Sequence, residues 1–300
     1  MLTTIEYLSK PQQERLTALI QQIVRAVQPE KVICFGIRVS QYQEWGCFLD
    51  NGGYKDNVYP SFDLLLISPT EEKRAEHEIS QIAEQKCQSP LAISCITHKI
   101  HAVNDALTFG NPFFCSLYHK GILLYDAGSV PLSDPGNPEE AALKKYIAEA
   151  YWSRWYGLAQ QFLKGAADSL PYGRPALTVF MLHQAVEHTC IALIRVFTGY
   201  RPNTHNLFRL LTIIENFSAM LMCVFPCITK EEKELFKILQ KAYSDSRYKD
   251  VYDISADKVA VLTERVKELQ AIAESLYMER IASYSESQEP HLPLVANDAK

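Results

Sequence analysis

One stretch divides this chain into two kinds of sequence. "DAGSVPLSDPGNPEE", residues 126–140, holds three prolines and two glycines and has almost no apolar periodicity. Neither a helix nor a strand can run through it. Ahead of it lie short apolar runs of strand type, "KVICFGI", "FDLLLIS" and "LAISCITHKI". These alternate with helical patterns over residues 4–26 and in "TEEKRAEHEISQIAEQKC", where acids occupy the first turn and Ile79, Ile82 and Ala83 share a face. "DALTFGNPFFCSLYHKGILLYD" adds a helical piece and a last short strand. Strands alternating with helices predict a small α/β domain over residues 1–127. The polar stretch between the first two strands, including "WGCFLDNGGYKDNVYP", is expected to be an irregular excursion.

Beyond residues 128–137, read as a linker, the pattern is helical throughout. Helices are expected over 138–164, 175–198 and 205–222, after the cap Thr229, and after Ser255. Asn137 is placed to cap the first of them, with Pro138 at its first position and Glu139 and Glu140 at the positive end of its dipole. In the last, Val259, Leu262, Val266, Leu269, Ile272 and Leu276 recur every three or four residues, a one-sided stripe. Residues 177–193 are apolar nearly all round and belong at the centre of a bundle. The fold class is therefore α+β: a small α/β domain, then an all-α bundle over 138–281. A polar, proline-containing tail at 282–300 is expected to lack fixed structure.

A net charge of −5 rules out a chain that is a cation as a whole, though not a local basic groove. The start "MLTTIEYLSKPQQ" lacks the basic and apolar segments of a leader. The apolar run near Phe217 is broken by Pro226 and is too short to span a bilayer, so no membrane partner is expected. Cys34, Cys47, Cys87, Cys95, Cys115, Cys190, Cys223 and Cys227 form no CxxC pair, and several sit in apolar patterns as small hydrophobes. Free thiols and a cytoplasmic location are the expectation.

"CFGIRVS" followed by "SFDLLLIS" resembles the core of the minimal nucleotidyltransferases of the DNA polymerase β superfamily. The resemblance implies a strand ending in Gly-Ser that opens a phosphate-holding helix, then two acids one residue apart that bind magnesium, and a third acid on a later strand. Gly36 matches the glycine and Asp63 the second acid. Ile37 stands in place of the serine and Ser61 in place of the first acid, and "LAISCITHKI" offers no acid. A lone carboxylate cannot chelate two magnesium ions, so Gly36 and Asp63 read as the remnant of a lost site. No catalytic residue and no metal or cofactor is expected, with magnesium only if residual nucleotidyltransferase activity exists.

"FMLHQAVEHTCIALI" and "TGYRPNTHNLFRLL" resemble the HEPN family (higher eukaryote and prokaryote nucleotide-binding), whose members carry Gln-Ala-x-Glu on one helix and Thr-His-x-Leu opening the next. Here these are Gln184, Ala185 and Glu187, then Thr204, His205 and Leu207. One branch ends its last inter-helical loop with Arg-Tyr-Pro, and this chain has Arg247, Tyr248 and Lys249. The resemblance implies a ligand groove edged by Gln184, Glu187, His205, Tyr243, Arg247, Tyr248, Lys249 and Tyr252. It also implies a nucleotide or single-stranded RNA as ligand and a homodimer through the bundle. Ribonucleases of the family need histidine after four to six intervening residues, where this chain has Tyr252, Asp253 and Ile254. Binding without catalysis is therefore the leading expectation, with a residual nucleotidyltransferase or ribonuclease, or a self-pairing interaction module, as alternatives.

Plainer readings stay open for the same residues. His183 can be a packing histidine, Gln184 and Glu187 can tie helices together, and His205 can be the first turn of its helix. Arg247, Tyr248 and Lys249 can be a solvated turn. "HKIH", with His98 and His101, falls at a strand end where the pair would face apart, and Cys223 and Cys227 fit a core better than a metal.

Overall fold

The computed structural model describes residues 5, 8–45, 54–87, 91–137, 140–249 and 254–286, with backbone alone for 40–45, 54–59, 141 and 285–286. Two compact units emerge, Met1–Pro138 and Glu139–Lys300.

In the first unit, helix α1 (Lys10–Val27) precedes strands β1 (Lys31–Trp45) and β2 (Tyr54–Ser68). Helix α2 (Glu76–Glu84) leads to β3 (Ala92–Lys99), and α3 (Ile100–Thr108) and α4 (Pro112–Lys120) lead to β4 (Ile122–Asp126). The sheet order is β3-β2-β1-β4, with β2 and β3 parallel and the other pairs antiparallel. Helix α1 starts six residues later than expected because the Gln12 side chain accepts from the Ser9 N–H and Pro11 fits the first turn.

The expected excursion between the first two strands is largely a continuation of both: Arg38 pairs with Ser61 and the ladder reaches Trp45 opposite Tyr54. Polar residues interrupt the apolar pattern beyond Val39, and that weak apolarity hides the strand extension in the sequence. Residues 46–53 lie outside the described residues, Cys47 among them.

Alternation sorts the sheet faces. Val32, Cys34, Phe62, Leu64, Leu66 and Cys95 bury into a core with Leu16, Leu19, Ile20 and Ile23 of α1 and Ile79 and Ala83 of α2. The opposite face carries Phe35 and His98, whose rings meet Phe113 and Phe114 of α4 edge-on. A register shift between Cys34 and Gly36 changes the parity of β1. Arg38 therefore joins Asp63 on one face. Burial pushes the Cys34 thiol up to about 12.

Residues 131–136 do not hang free between elements. The Asn104 side chain donates to Pro131 O and accepts from Ser133 N, and Gly136 N donates to Leu107 O. A Cβ on Gly136 would lie 2.4 Å from Thr108 O, so only glycine fits this approach.

The second unit is helical: α5 (Ala141–Ser169), a 3-10 turn (Leu170–Tyr172), α6 (Pro175–Thr198), α7 (Leu207–Glu215), α8 (Met220–Cys223), α9 (Lys230–Tyr248) and α10 (Ala256–Glu286). Helix α6 has the expected bounds, framed by Pro175 and by Gly199 at φ 72°. It packs against α5, α7, α9 and α10 and is the one described helix long and apolar enough to cross a membrane; 78% of its most apolar 18-residue stretch is buried within the protein.

Three boundaries differ from expectation. Glu140, not Asn137, holds the cap position of α5, and Pro138 and Glu139 lie outside the described residues. The helix expected over 205–222 divides at Asn216, whose side chain turns back to Thr212 O and Ile213 O. Helix α10 continues to Glu286, five residues into the expected tail, and 287–300 lie outside the described residues. Thr229 caps α9 as expected, in a reciprocal box with Glu232. Trp152 stacks on Tyr156 and on Tyr277 at 4.0 and 4.2 Å, joining α5 to α10.

Candidate functional site

Asp63 of the nucleotidyltransferase-like pattern is 1% exposed and fully engaged. Arg38 grips it with both nitrogens, Nη1 to Oδ2 at 2.6 Å and Nη2 to Oδ1 at 2.9 Å. Gly36 does not end a strand or open a helix, because β1 runs on to Trp45. The phosphate-holding turn that the resemblance implied is absent from these residues. Among the described residues no group of three or more His, Cys, Asp or Glu side chains is placed to hold a metal. His98 sits on β3 with Nδ1 3.3 Å from Glu76 Oε1, and His101 lies on α3.

The helical unit assembles most of the other candidates. Glu187, 4% exposed, is the hub. Its Oε1 accepts from His205 Nδ1 at 2.9 Å, and its Oε2 accepts from Gln184 Nε2 at 3.1 Å. His183 Nε2 lies 3.3 Å from Oε2, within ion-pair range but off the angle of a good hydrogen bond. Burial pushes the Glu187 carboxyl up, yet the contact with His183 and the charge and hydrogen bond of His205 outweigh it, and the group ends below its ordinary 4.5. His183 is fully buried and donates from Nδ1 to Leu239 O, which anchors α6 to α9.

His205 precedes the Asn206 cap of α7 and so is not in a first helical turn. Its Nδ1–H is committed to Glu187, which leaves Nε2 to accept or to take up a proton. The imidazole is 55% exposed and stacks on Tyr243 at 4.1 Å, planes 14° apart.

Arg247 and Tyr248 do not lie in the expected loop; they form the last turn of α9. Tyr243 and Arg247 are therefore one turn apart. The guanidinium sits 4.1 Å from the Tyr243 ring centroid and 5.1 Å from that of Tyr248, and its Nε donates to Tyr243 O at 2.6 Å. Tyr248 is 78% exposed. Lys249 is held at 2.6 Å by Asp245, whose carboxyl is lowered by that hydrogen bond. Tyr252 lies outside the described residues, as do Asp250 and Asp253.

Beside Arg247 opens a groove of ≈ 530 Å³ between the ends of α6 and α9, lined by Arg174, Pro175, Ala176, Leu177 and Phe180 among others. Arg174 and Arg247 have no carboxylate partner among the described residues, and the N-terminus of α6 opens there. Sequence reasoning misses Arg174 and Phe180. The available signal is "YGRPAL", an arginine between glycine and proline at a helix start, where anions are favoured.

The family model of the HEPN domain matches residues 152–277. Among solved structures, ST0689, an archaeal HEPN homologue, is 19% identical over 43% of this chain and 97% of its own, with a TM-score of 0.31. TT1696 from Thermus thermophilus is 20% identical over 46% of this chain and 97% of its own, with a TM-score of 0.27. A nucleotidyltransferase-like protein from Exiguobacterium sibiricum is 8% identical over 92% of this chain and 81% of its own, with a TM-score of 0.26. No curated protein matches the chain.

Proposed function

We propose that the chain binds a nucleotide or single-stranded RNA at the groove between α6 and α9, in keeping with the match of residues 152–277 to the family model of the HEPN domain. One observation carries this reading: two guanidinium groups without carboxylate partners among the described residues, Arg174 and Arg247, line one groove with the N-terminus of a long helix. Guanidinium forks and helix N-terminal amides both suit phosphate oxygens. Exposed Tyr248 supplies a face for a base, and the half-exposed His205, steadied by Glu187, offers Nε2 to a ribose or base edge. Asp63, locked by Arg38, supports a first unit without nucleotidyltransferase chemistry. A homodimer through the bundle belongs to the same proposal.

The test is affinity for uridine triphosphate and for a labelled oligouridylate, with folding checked by circular dichroism. Arg247→Ala removes a charged contact and Tyr248→Ala a stacking face worth about 1–3 kcal/mol per base. Each is expected to weaken binding roughly 5- to 100-fold. Parent-like binding by both variants sinks the proposal.

A second reading rests on the His205 geometry. The sequence places no histidine shortly after Arg247, but the fold brings one to the same tyrosine from another element. His205 Nε2 would take the 2′-hydroxyl proton as the 2′-oxygen bonds to phosphorus, Arg247 would steady the phosphorane, and the P–O5′ bond would break with the 5′-oxygen taking a proton from solvent, giving a 2′,3′-cyclic phosphate and a 5′-hydroxyl end. Cyclic-phosphate ends produced by the parent and not by His205→Ala would favour this reading over binding alone.

A further inference from the structure

A separate cluster surrounds Trp155 on α5. Arg154, Arg195 and Arg201 place their guanidinium carbons 5.7, 5.9 and 5.4 Å from the indole centroid. Arg195 also lies 3.8 Å over the Tyr151 ring, and His188 stacks on Trp155 at 5.7 Å. None of the three arginines has a carboxylate partner among the described residues; every ion pair there involves other side chains. Two donors in the cluster, Trp155 Nε1 and Arg195 Nε, are buried without a hydrogen-bond partner among the described residues. Buried donors ordinarily find acceptors, and clustered cations ordinarily find counter-charge. Packing alone accounts for neither feature here. Both call for a group rich in acceptors and negative in charge.

We propose that this cluster is a second phosphate-binding site, taking the phosphodiester backbone of single-stranded RNA. Guanidinium planes and an indole among exposed and half-buried neighbours are the combination that single strands use, charge for the backbone and π-faces for the bases. Placement on α6 supports the strand as the source of that phosphate. Phe180, beside Arg247, and Arg195 are fifteen residues apart on α6, which is about 22 Å along the axis and within roughly 60° around it. A single nucleotide cannot reach from one cluster to the other, whereas a short strand can. This inference rests on the proposed ligand class, but the cluster contains none of the groove's residues.

The test uses the full chain and the double variant Arg154→Ala, Arg201→Ala. Both side chains are exposed, so the fold should survive. The probes are inorganic phosphate, uridine triphosphate and a labelled oligouridylate, titrated across a range of salt. The double variant should bind the oligouridylate roughly tenfold more weakly, with the slope of log affinity against log salt flatter by about 1.4, the loss of two single-strand phosphate contacts. Uridine triphosphate binding at the groove should be unchanged. An unchanged slope and affinity for the oligouridylate overturns the second site while leaving the groove reading standing. Loss of oligouridylate binding in the double variant but not in Arg247→Ala supports the second site and overturns the groove. A double variant whose affinity for uridine triphosphate or inorganic phosphate falls, relative to the parent, by as large a factor as its affinity for the strand assigns the site to a mononucleotide or free phosphate and overturns the strand. Sedimentation showing that the double variant converts a dimer to a 34.1 kDa monomer assigns the cluster to a protein interface, which also overturns it.

Discussion

Arg38→Ala will destabilise the β1–β2 ribbon by about 3–5 kcal/mol, the usual result of stripping one partner from a buried ion pair. Asp63 is 1% exposed and both its oxygens face the Arg38 fork, so the truncation takes a bidentate cation from a buried carboxylate. The lower part of that range is expected, because Arg38 itself is 23% exposed. Amide hydrogen exchange by mass spectrometry reads the effect locally, without assuming that the two units unfold together. Protection of the Lys31–Trp45 and Tyr54–Ser68 amides should fall by roughly two to three orders of magnitude, and most of it should return when Arg38→Met is combined with Asp63→Leu. Protection within about threefold of the parent in Arg38→Ala would show that the pair contributes little.

Glu187→Ala should be about as costly to the helical unit, roughly 3–5 kcal/mol, since it takes the carboxylate away from the buried Nε2 of His183 and frees His205 and Gln184. Glu187→Gln keeps an acceptor and should cost less, about 1–3 kcal/mol. The two variants also separate charge from packing. The parent carboxyl is lowered from 4.5 in the folded protein, so its ionisation adds stability that is complete above about pH 4.5 and is lost as pH falls through the lowered folded value. Urea midpoints measured from pH 7 to pH 3 should therefore drop more steeply for the parent than for Glu187→Gln at the acid end. Parallel curves would mean that the Glu187 carboxyl titrates alike in the folded and unfolded chain, which would contradict the lowered value.

How legible this protein is from sequence varies by element, for physical reasons. Helix α6 can be read with its bounds because Pro175 and Gly199 punctuate it and its apolar residues leave no polar side to misplace. The long ribbon cannot, because residues 40–59 carry little apolar alternation. The resemblance through Gly36 and Asp63 identifies a residue pair but not its setting: a one-residue register shift turns Arg38 toward Asp63, and shifts of that kind leave no mark on composition. In the helical unit, the resemblance to the HEPN family points to Gln184, Glu187, His205, Tyr243 and Arg247, and the structure joins them through hydrogen bonds and ring stacking. Their connectivity is hidden in the sequence because His205 reaches Glu187 across eighteen positions. A search for histidine just downstream of Arg247 cannot find it. Arg174 escapes because its role depends on where α6 begins in space, next to the end of α9.

The central claim is that a nucleic-acid ligand sits against the last turn of α9. Photocrosslinking reports that contact without relying on changes in affinity. The full chain is irradiated with an oligouridylate carrying 4-thiouridine, and the adducts are mapped by peptide mass spectrometry. The account predicts adducts on Tyr248 or Phe180, suppressed by excess unlabelled strand and lost in Arg247→Ala. Efficient, competable crosslinking confined to residues outside this groove, or none at strand concentrations that saturate binding, would contradict it.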